Sequence, residues 1–273
     1  MRYKPDITKY TYPDKTDVHM IKVKHQVDTH FDENHRYYNN TLWYRIIRFF
    51  GNILIHLIAF PFMFLRYNLK IEGRENVKEA KKLKTSVMTI SNHVFMIDYI
   101  AVLKAIRPKM EYVMAWPVNF EGPNRFFIKL IGGIPIPQKL KAMPCFSKAI
   151  ERCVKDNKWI HVFPEGSMWF YYPYIRPLKK GCFKYAYQHK LPILPMAISF
   201  RPRKGLLKYI FKSVPFVTIR VGKLMYVNND LEKHQAIYDI QSRSYHEMQV
   251  LAGIPKGDPD YHTLEDYTEI KRI

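Results

Sequence analysis

The sequence predicts an α/β fold, a largely parallel sheet flanked by helices. From Lys70 onward, short apolar runs rich in β-branched and aromatic residues alternate with longer periodic segments, and strand-then-helix repetition builds a parallel sheet. The chain has 273 residues and is 47% hydrophobic, ample for a sizeable core. Its net charge of +20 and pI near 9.7 call for an anionic partner: nucleic acid, an anionic bilayer or a phosphorylated substrate.

Residues 1–40 are polar, rich in charge, His and Tyr, and lack the apolar core of a signal peptide; they read as an extension, not a domain. Residues 41–69 read as a membrane-associating helical segment. Within it, Phe49 to Leu65 is an uncharged run bracketed by Arg45, Arg48 and Arg66. The run spans about 17 residues, against roughly 20 for a bilayer crossing, and holds Asn52, His56 and Pro61. A helix broken near Gly51 or Pro61 and lying among headgroups accounts for the aromatics, the apolar run and the arginines together. A buried amphipathic core helix is the alternative.

Residues 70–273 form a single domain on this reading, with no repeat or internal boundary. Strands are expected at 86–91, 111–116, 159–163, 193–200 and 215–227, and helices at 96–106, 124–133, 145–156, 183–190 and 231–253. Cys145, Cys153 and Cys182 are odd in number and widely spaced, which indicates neither a disulfide framework nor a zinc site and suits a reducing, cytoplasm-facing compartment. His93, His161 and His189 are scattered, so no metal is expected. No zinc-finger, recognition-helix or RNP pattern supports a nucleic-acid partner.

In a parallel sheet, reactive groups gather beyond the carboxyl ends of the strands. The stretch SNHVFMIDYI (91–100) puts His93 in the loop after the first of the expected strands and Asp98 in the first turns of the next helix. An acid there suits the helix dipole and can orient an imidazole acting as general base. A capping acid beside an unrelated histidine is the plainer reading of that pair. WIHVFPEGSMW (159–169) brings a second turn to the same edge. Gly166 allows close backbone approach and Glu165 can bind hydroxyls. Further on, IRPLKKGCF (175–183) supplies Arg176, Lys179 and Lys180 before a helix, either as a phosphate clamp or as a solvated basic face.

Taken in order, Asn92, His93 and Asp98, then Phe163 to Ser167, then Leu178 to Phe183, then Leu191 to Ile198 resemble the glycerolipid acyltransferases, most closely the bacterial 1-acyl-glycerol-3-phosphate acyltransferases. The resemblance covers roughly residues 45–225. It implies an acyltransferase domain at 70–273, an acyl-CoA or acyl-carrier-protein donor, a lysophospholipid acceptor, no further cofactor, and a site at the cytoplasmic face of the cell membrane. It implies His93 as general base, Asp98 as its orienting acid, and Asn92, Glu165, Gly166, Ser167, Arg176 and Lys179 at the substrate. Two departures bear on the acceptor. Ser167 and Met168 stand where Thr-Arg is usual, and Gln138 replaces a second cation; Arg125, Arg176 and Lys179 are the candidates to substitute. No serine lies in a G-x-S-x-G elbow, so direct transfer is expected rather than an acyl-enzyme. The competing reading is a non-catalytic membrane-surface protein on the same scaffold.

Overall fold

The computed structural model describes residues 3–6, 8–16, 18–20, 31–109, 111–121, 125–209 and 214–269. The expectations for residues 1, 2, 7, 17 and 21–30 of the extension, and for Asn124 in one expected helix, lie outside those residues.

Among them, seven strands form one sheet: β1 (Lys70–Glu72), β2 (Met88–Ile90), β3 (Glu111–Ala115), β4 (Gly133–Pro135), β5 (Trp159–Val162), β6 (Ile193–Arg201) and β7 (Phe216–Val221), in the order β1-β7-β6-β2-β5-β3-β4. Every pairing is parallel except β6 with β7. The largely parallel sheet is therefore as expected, and β2 lies near its middle with both neighbours, β5 and β6, running its way. A strand buried on both faces shows no alternation, which is why Met88, Thr89 and Ile90 are all fully buried.

The helices on the sheet are α3 (Arg74–Lys82), α4 (Asp98–Ile106), α5 (Arg125–Leu130), α6 (Met143–Lys155), α7 (Gly181–Gln188), α8 (Lys233–Ala252) and α9 (Leu264–Glu269). Two expected elements end early. The helix expected at 124–133 stops at Leu130, because Gly132 takes φ +88 and Arg48 fills the space its Cβ would need; Gly133–Pro135 then pairs as an edge strand. The strand expected at 215–227 stops at Val221, and beyond Gly222 the chain makes one bridge, Met225 with Ile193. Strands β1 and β4 and helices α3 and α9 had no counterpart among the expected elements.

The N-terminal segment departs most. Instead of breaking, it is one 26-residue helical rod from Leu42 to Tyr67, long and apolar enough to cross a membrane by length and composition. Thr41 caps its start by accepting from Tyr44 N. Helix α1 (Leu42–Leu54) leads through a π turn (Ile55–Ala59) into α2 (Phe60–Tyr67), and Asn68 in the left-handed region ends it. The π turn, closed by Phe60 N on Ile55 O, lies just ahead of Pro61 and adds one residue to the stripe facing the domain. Buried positions thus run Arg48, Gly51, Ile55, then Phe60, Met63 and Tyr67. Gly51 is required because a Cβ there would collide with the Leu130 side chain of α5. The opposite face leaves Trp43, Phe49, Phe50, Leu57, Ile58 and Phe64 exposed, so the rod is not a core helix.

Candidate functional site

Strands β2, β3 and β5 are parallel, so their carboxyl ends deliver Asn92–His93, Trp116 and Phe163–Glu165 to one edge of the sheet. The loops there are tied together. Trp169 N donates to His93 O at 3.1 Å and Tyr171 N to Val94 O at 2.7 Å, and Lys179 N donates to Pro164 O at 2.7 Å.

His93 and Asp98 meet as expected: His93 Nδ1 lies 2.6 Å from Asp98 Oδ2, which also accepts from Val94 N at 3.0 Å. Asp98 opens α4, where the helix amides favour a negative charge. A carboxylate can only accept from Nδ1–H, so Nε2 carries the lone pair. The His93 side chain keeps 23% of its surface exposed and that of Asp98 only 2%, which leaves the imidazole as the accessible half of the pair. Its ring stacks on Phe163 with centroids 4.1 Å apart.

Four residues expected at the substrate turn inward instead. Asn92 clamps the loop to β6, donating to Ile198 O at 2.9 Å and accepting from Ile198 N at 2.7 Å. Glu165 accepts from His93 N at 3.0 Å, from Arg176 N at 2.9 Å and from Arg176 Nη2 at 2.7 Å. Arg176, 2% exposed, also donates to Ser167 O and to the Ser167 hydroxyl, and Ser167 is fully buried. The physical reason is cost: a buried charge needs a partner, and Glu165 and Arg176 serve each other. Two expected residues stay at the surface of the turn. Gly166 takes φ +75, a backbone region open to glycine, and its missing Cβ makes room for the Lys179 side chain. Lys179 itself is exposed. Arg125, a candidate substitute cation, starts α5 and is exposed.

Sequence reasoning passed over a polar line inside the core. Thr89 Oγ1 donates to Glu111 Oε2 at 2.7 Å and lies 2.8 Å from His161 Nδ1; His161 Nε2 lies 3.4 Å from Ser91 Oγ. The His161 ring also meets Phe163 edge-on at 4.5 Å. Burial pushes the Glu111 carboxyl up to about 8 and the His161 imidazole down to about 3, so both are held neutral. From the rod, Arg48 Nη2 donates to Glu111 O at 2.7 Å.

The extension was the other omission. Among its described residues, Thr16 O accepts from Ser167 Oγ at 2.9 Å and Arg176 Nη1 at 3.0 Å, Val18 O accepts from Trp169 Nε1 at 2.9 Å, and His19 stacks on Trp116 at 4.4 Å. No sequence signal links positions about 150 residues apart, as Thr16 and Ser167 are.

The family model for acyltransferases matches residues 68–199. An uncharacterised acyltransferase of Schizosaccharomyces pombe is 30% identical over 137 residues, 49% of this chain and 48% of that protein. The 1-acyl-sn-glycerol-3-phosphate acyltransferase of Saccharomyces cerevisiae is 26% identical over 140 residues, 50% of this chain and 45% of that protein. The matched region thus spans about half the length of these curated relatives. The crystal structure of the 1-acyl-sn-glycerophosphate acyltransferase PlsC from Thermotoga maritima aligns with a TM-score of 0.46 at 20% identity, covering 76% of this chain and 79% of that one. The matched residues run from Asn68, at the end of the rod, to Ser199 in β6, so the His93–Asp98 pair and the Glu165 turn both lie inside the stretch that is similar to the acyltransferase family.

Proposed function

We propose that this protein transfers an acyl group from acyl-CoA or acyl-carrier protein to the free hydroxyl of a lysophospholipid, with 1-acyl-glycerol-3-phosphate as the acceptor. The observation that carries the reading is the 2.6 Å contact of a half-accessible His93 with a buried Asp98 inside the acyltransferase-family region. His93 Nε2 takes the acceptor hydroxyl proton as the oxygen attacks the thioester carbon. The C–O bond forms, the C–S bond breaks, and the imidazolium returns the proton to the departing thiolate. Asp98 stabilises the imidazolium between those steps. Asn92, Glu165, Ser167 and Arg176 are positioning residues on this reading, because their polar atoms hold the His93 loop. Lys179, exposed beside Gly166, is the cation for the acceptor phosphate. The name of the yeast relative supports the choice of acceptor.

The rod supports a bilayer-surface location for the chemistry. Its buried stripe follows the domain from Arg48 to Tyr67 while its other face is apolar and bare. A helix held along a globular domain for its whole length lies in the interface plane more readily than across it. The free cysteines and the proposed donors support attachment at the cytoplasmic face of the cell membrane.

Incubation with labelled acyl-CoA and acyl-carrier protein and a panel of lysolipids, with products identified by mass, tests the reading. His93→Ala lowers turnover by roughly a hundredfold or more if His93 is the base. Undiminished transfer by the folded variant overturns the assignment; no transfer by the intact protein overturns the activity.

A further inference from the structure

The described part of the extension lies across the candidate site as a strap, residues 8–16 and 18–20, and it is built in rather than draped. Tyr12 donates to Phe170 O at 2.7 Å, Met168 N donates to His19 Nδ1 at 3.4 Å, and Phe170 N approaches Met20 Sδ at 3.2 Å. Tyr12 also packs on Trp169 at 5.4 Å and on Tyr172 at 5.1 Å. Without the strap, the buried indole N–H of Trp169 loses Val18 O and the buried guanidinium of Arg176 loses Thr16 O. The strap's carbonyls therefore serve two donors of the site that it helps to bury.

Its position relative to substrate follows from the turn it packs on: His19 Nδ1 accepts from Met168 N, two residues past Gly166, whose missing Cβ makes room for the Lys179 side chain. Burial pushes the His19 imidazole down to about 4, and the neighbouring His93, Arg176 and Lys179 push the same way. Those three groups come from the β2 loop and the chain after the Glu165 turn, so His19 stands among the groups that frame the acceptor. It stands there uncharged. Arg176 is unavailable to an anionic headgroup, since Glu165 balances its charge and Thr16 O takes one of its donors. The His19–Trp116 stack, rings 4.4 Å apart and 8° from parallel, thus stands beside the turn that carries Lys179.

We propose that this strap is a wall of the acceptor site, and that the His19–Trp116 stack determines how much headgroup the site admits beyond the acceptor phosphate. The proposal rests on the acyltransferase reading above. A phosphomonoester ends before the rings, whereas a headgroup esterified to the phosphate runs into them. Selection is then steric, and a flat aromatic pair performs it without a charge.

The test uses the full-length protein in mixed micelles, with kcat/KM measured for lysophosphatidic acid and for lysophosphatidylglycerol in competition. A competitive ratio is independent of the fraction of molecules that are folded. His19→Ala and Trp116→Ala each raise relative use of lysophosphatidylglycerol by about tenfold, the scale of a lost steric contact in a binding pocket. The double variant gains little over either single one, because both remove the same wall. His19→Phe, which keeps a flat ring on Trp116, holds the wild-type ratio. An unchanged ratio in both single variants overturns the proposal, as does a shift in acyl-donor chain length with the headgroup ratio intact. Intact protein that acylates neither lysolipid sinks the acyltransferase reading itself, a result distinct from transfer that proceeds with an unmoved ratio.

Discussion

Replacing Glu111 by Gln removes one buried proton-binding group while keeping its shape, and the consequence is a change in how stability depends on pH. The carboxyl is fully buried, with Oε2 accepting from Thr89 and Oε1 without a hydrogen-bond partner. Burial raises it from an ordinary 4.5 to about 8. The folded state therefore binds the proton more tightly than the unfolded chain. That stabilisation is complete below pH 4.5 and is lost as pH rises toward about 8. One proton difference changes stability by about 1.4 kcal/mol per pH unit, so wild type loses about 2 kcal/mol between about pH 6 and about pH 7.5 from this group alone. His161 works in the opposite direction at lower pH: pushed down to about 3, it destabilises folding as pH falls from 6.5 toward that value. The difference between wild type and Glu111→Gln cancels His161 and isolates Glu111. Urea midpoints of both proteins across that range, at constant slope, read the effect. The variant gains about 2 kcal/mol on wild type from the lower to the higher pH. Parallel curves refute the claim that Glu111 is held protonated.

Asp98→Asn leaves a folded protein with turnover reduced by roughly a hundredfold or more, since the tautomer and charge partner of His93 are lost; a wild-type rate in steady-state assays shows that the acid only caps α4. Lys179→Ala raises the KM for lysophosphatidic acid roughly tenfold with donor KM unmoved, and the reverse pattern moves this loop to the donor side. Leu57→Asp, on the bare face of the rod at 69% exposure, weakens partitioning to anionic vesicles by about tenfold or more with stability retained, as read by flotation and melting. Met63→Asp, at 1% exposure on the other face, lowers stability instead; equal behaviour of the two variants refutes the two-faced rod.

Local pattern determined much of this protein. Alternating apolar runs and periodic segments are enough for a parallel sheet, because strand and helix periodicity are written in neighbouring residues. The five-residue spacing of His93 and Asp98 across a strand-to-helix turn was equally readable, since the helix dipole and a short loop act within that span. Only the tertiary structure decided which of the candidate side chains are buried against one another and which stay accessible. Asn92, Glu165, Ser167 and Arg176 carry binding chemistry in the sequence, yet Ile198, His93, Thr16 and one another take most of their polar atoms, leaving Arg176 Nε unpaired, and burial favours those partnerships. Packing likewise decided the rod: Pro61 alone reads as a break, but the adjoining π turn keeps the helix continuous and its stripe on the domain. The strap was beyond local reading altogether. Thr16 and Ser167, 151 positions apart, are joined by a hydrogen bond, and no periodicity or spacing in a sequence encodes a contact that forms only when the extension packs on the folded domain.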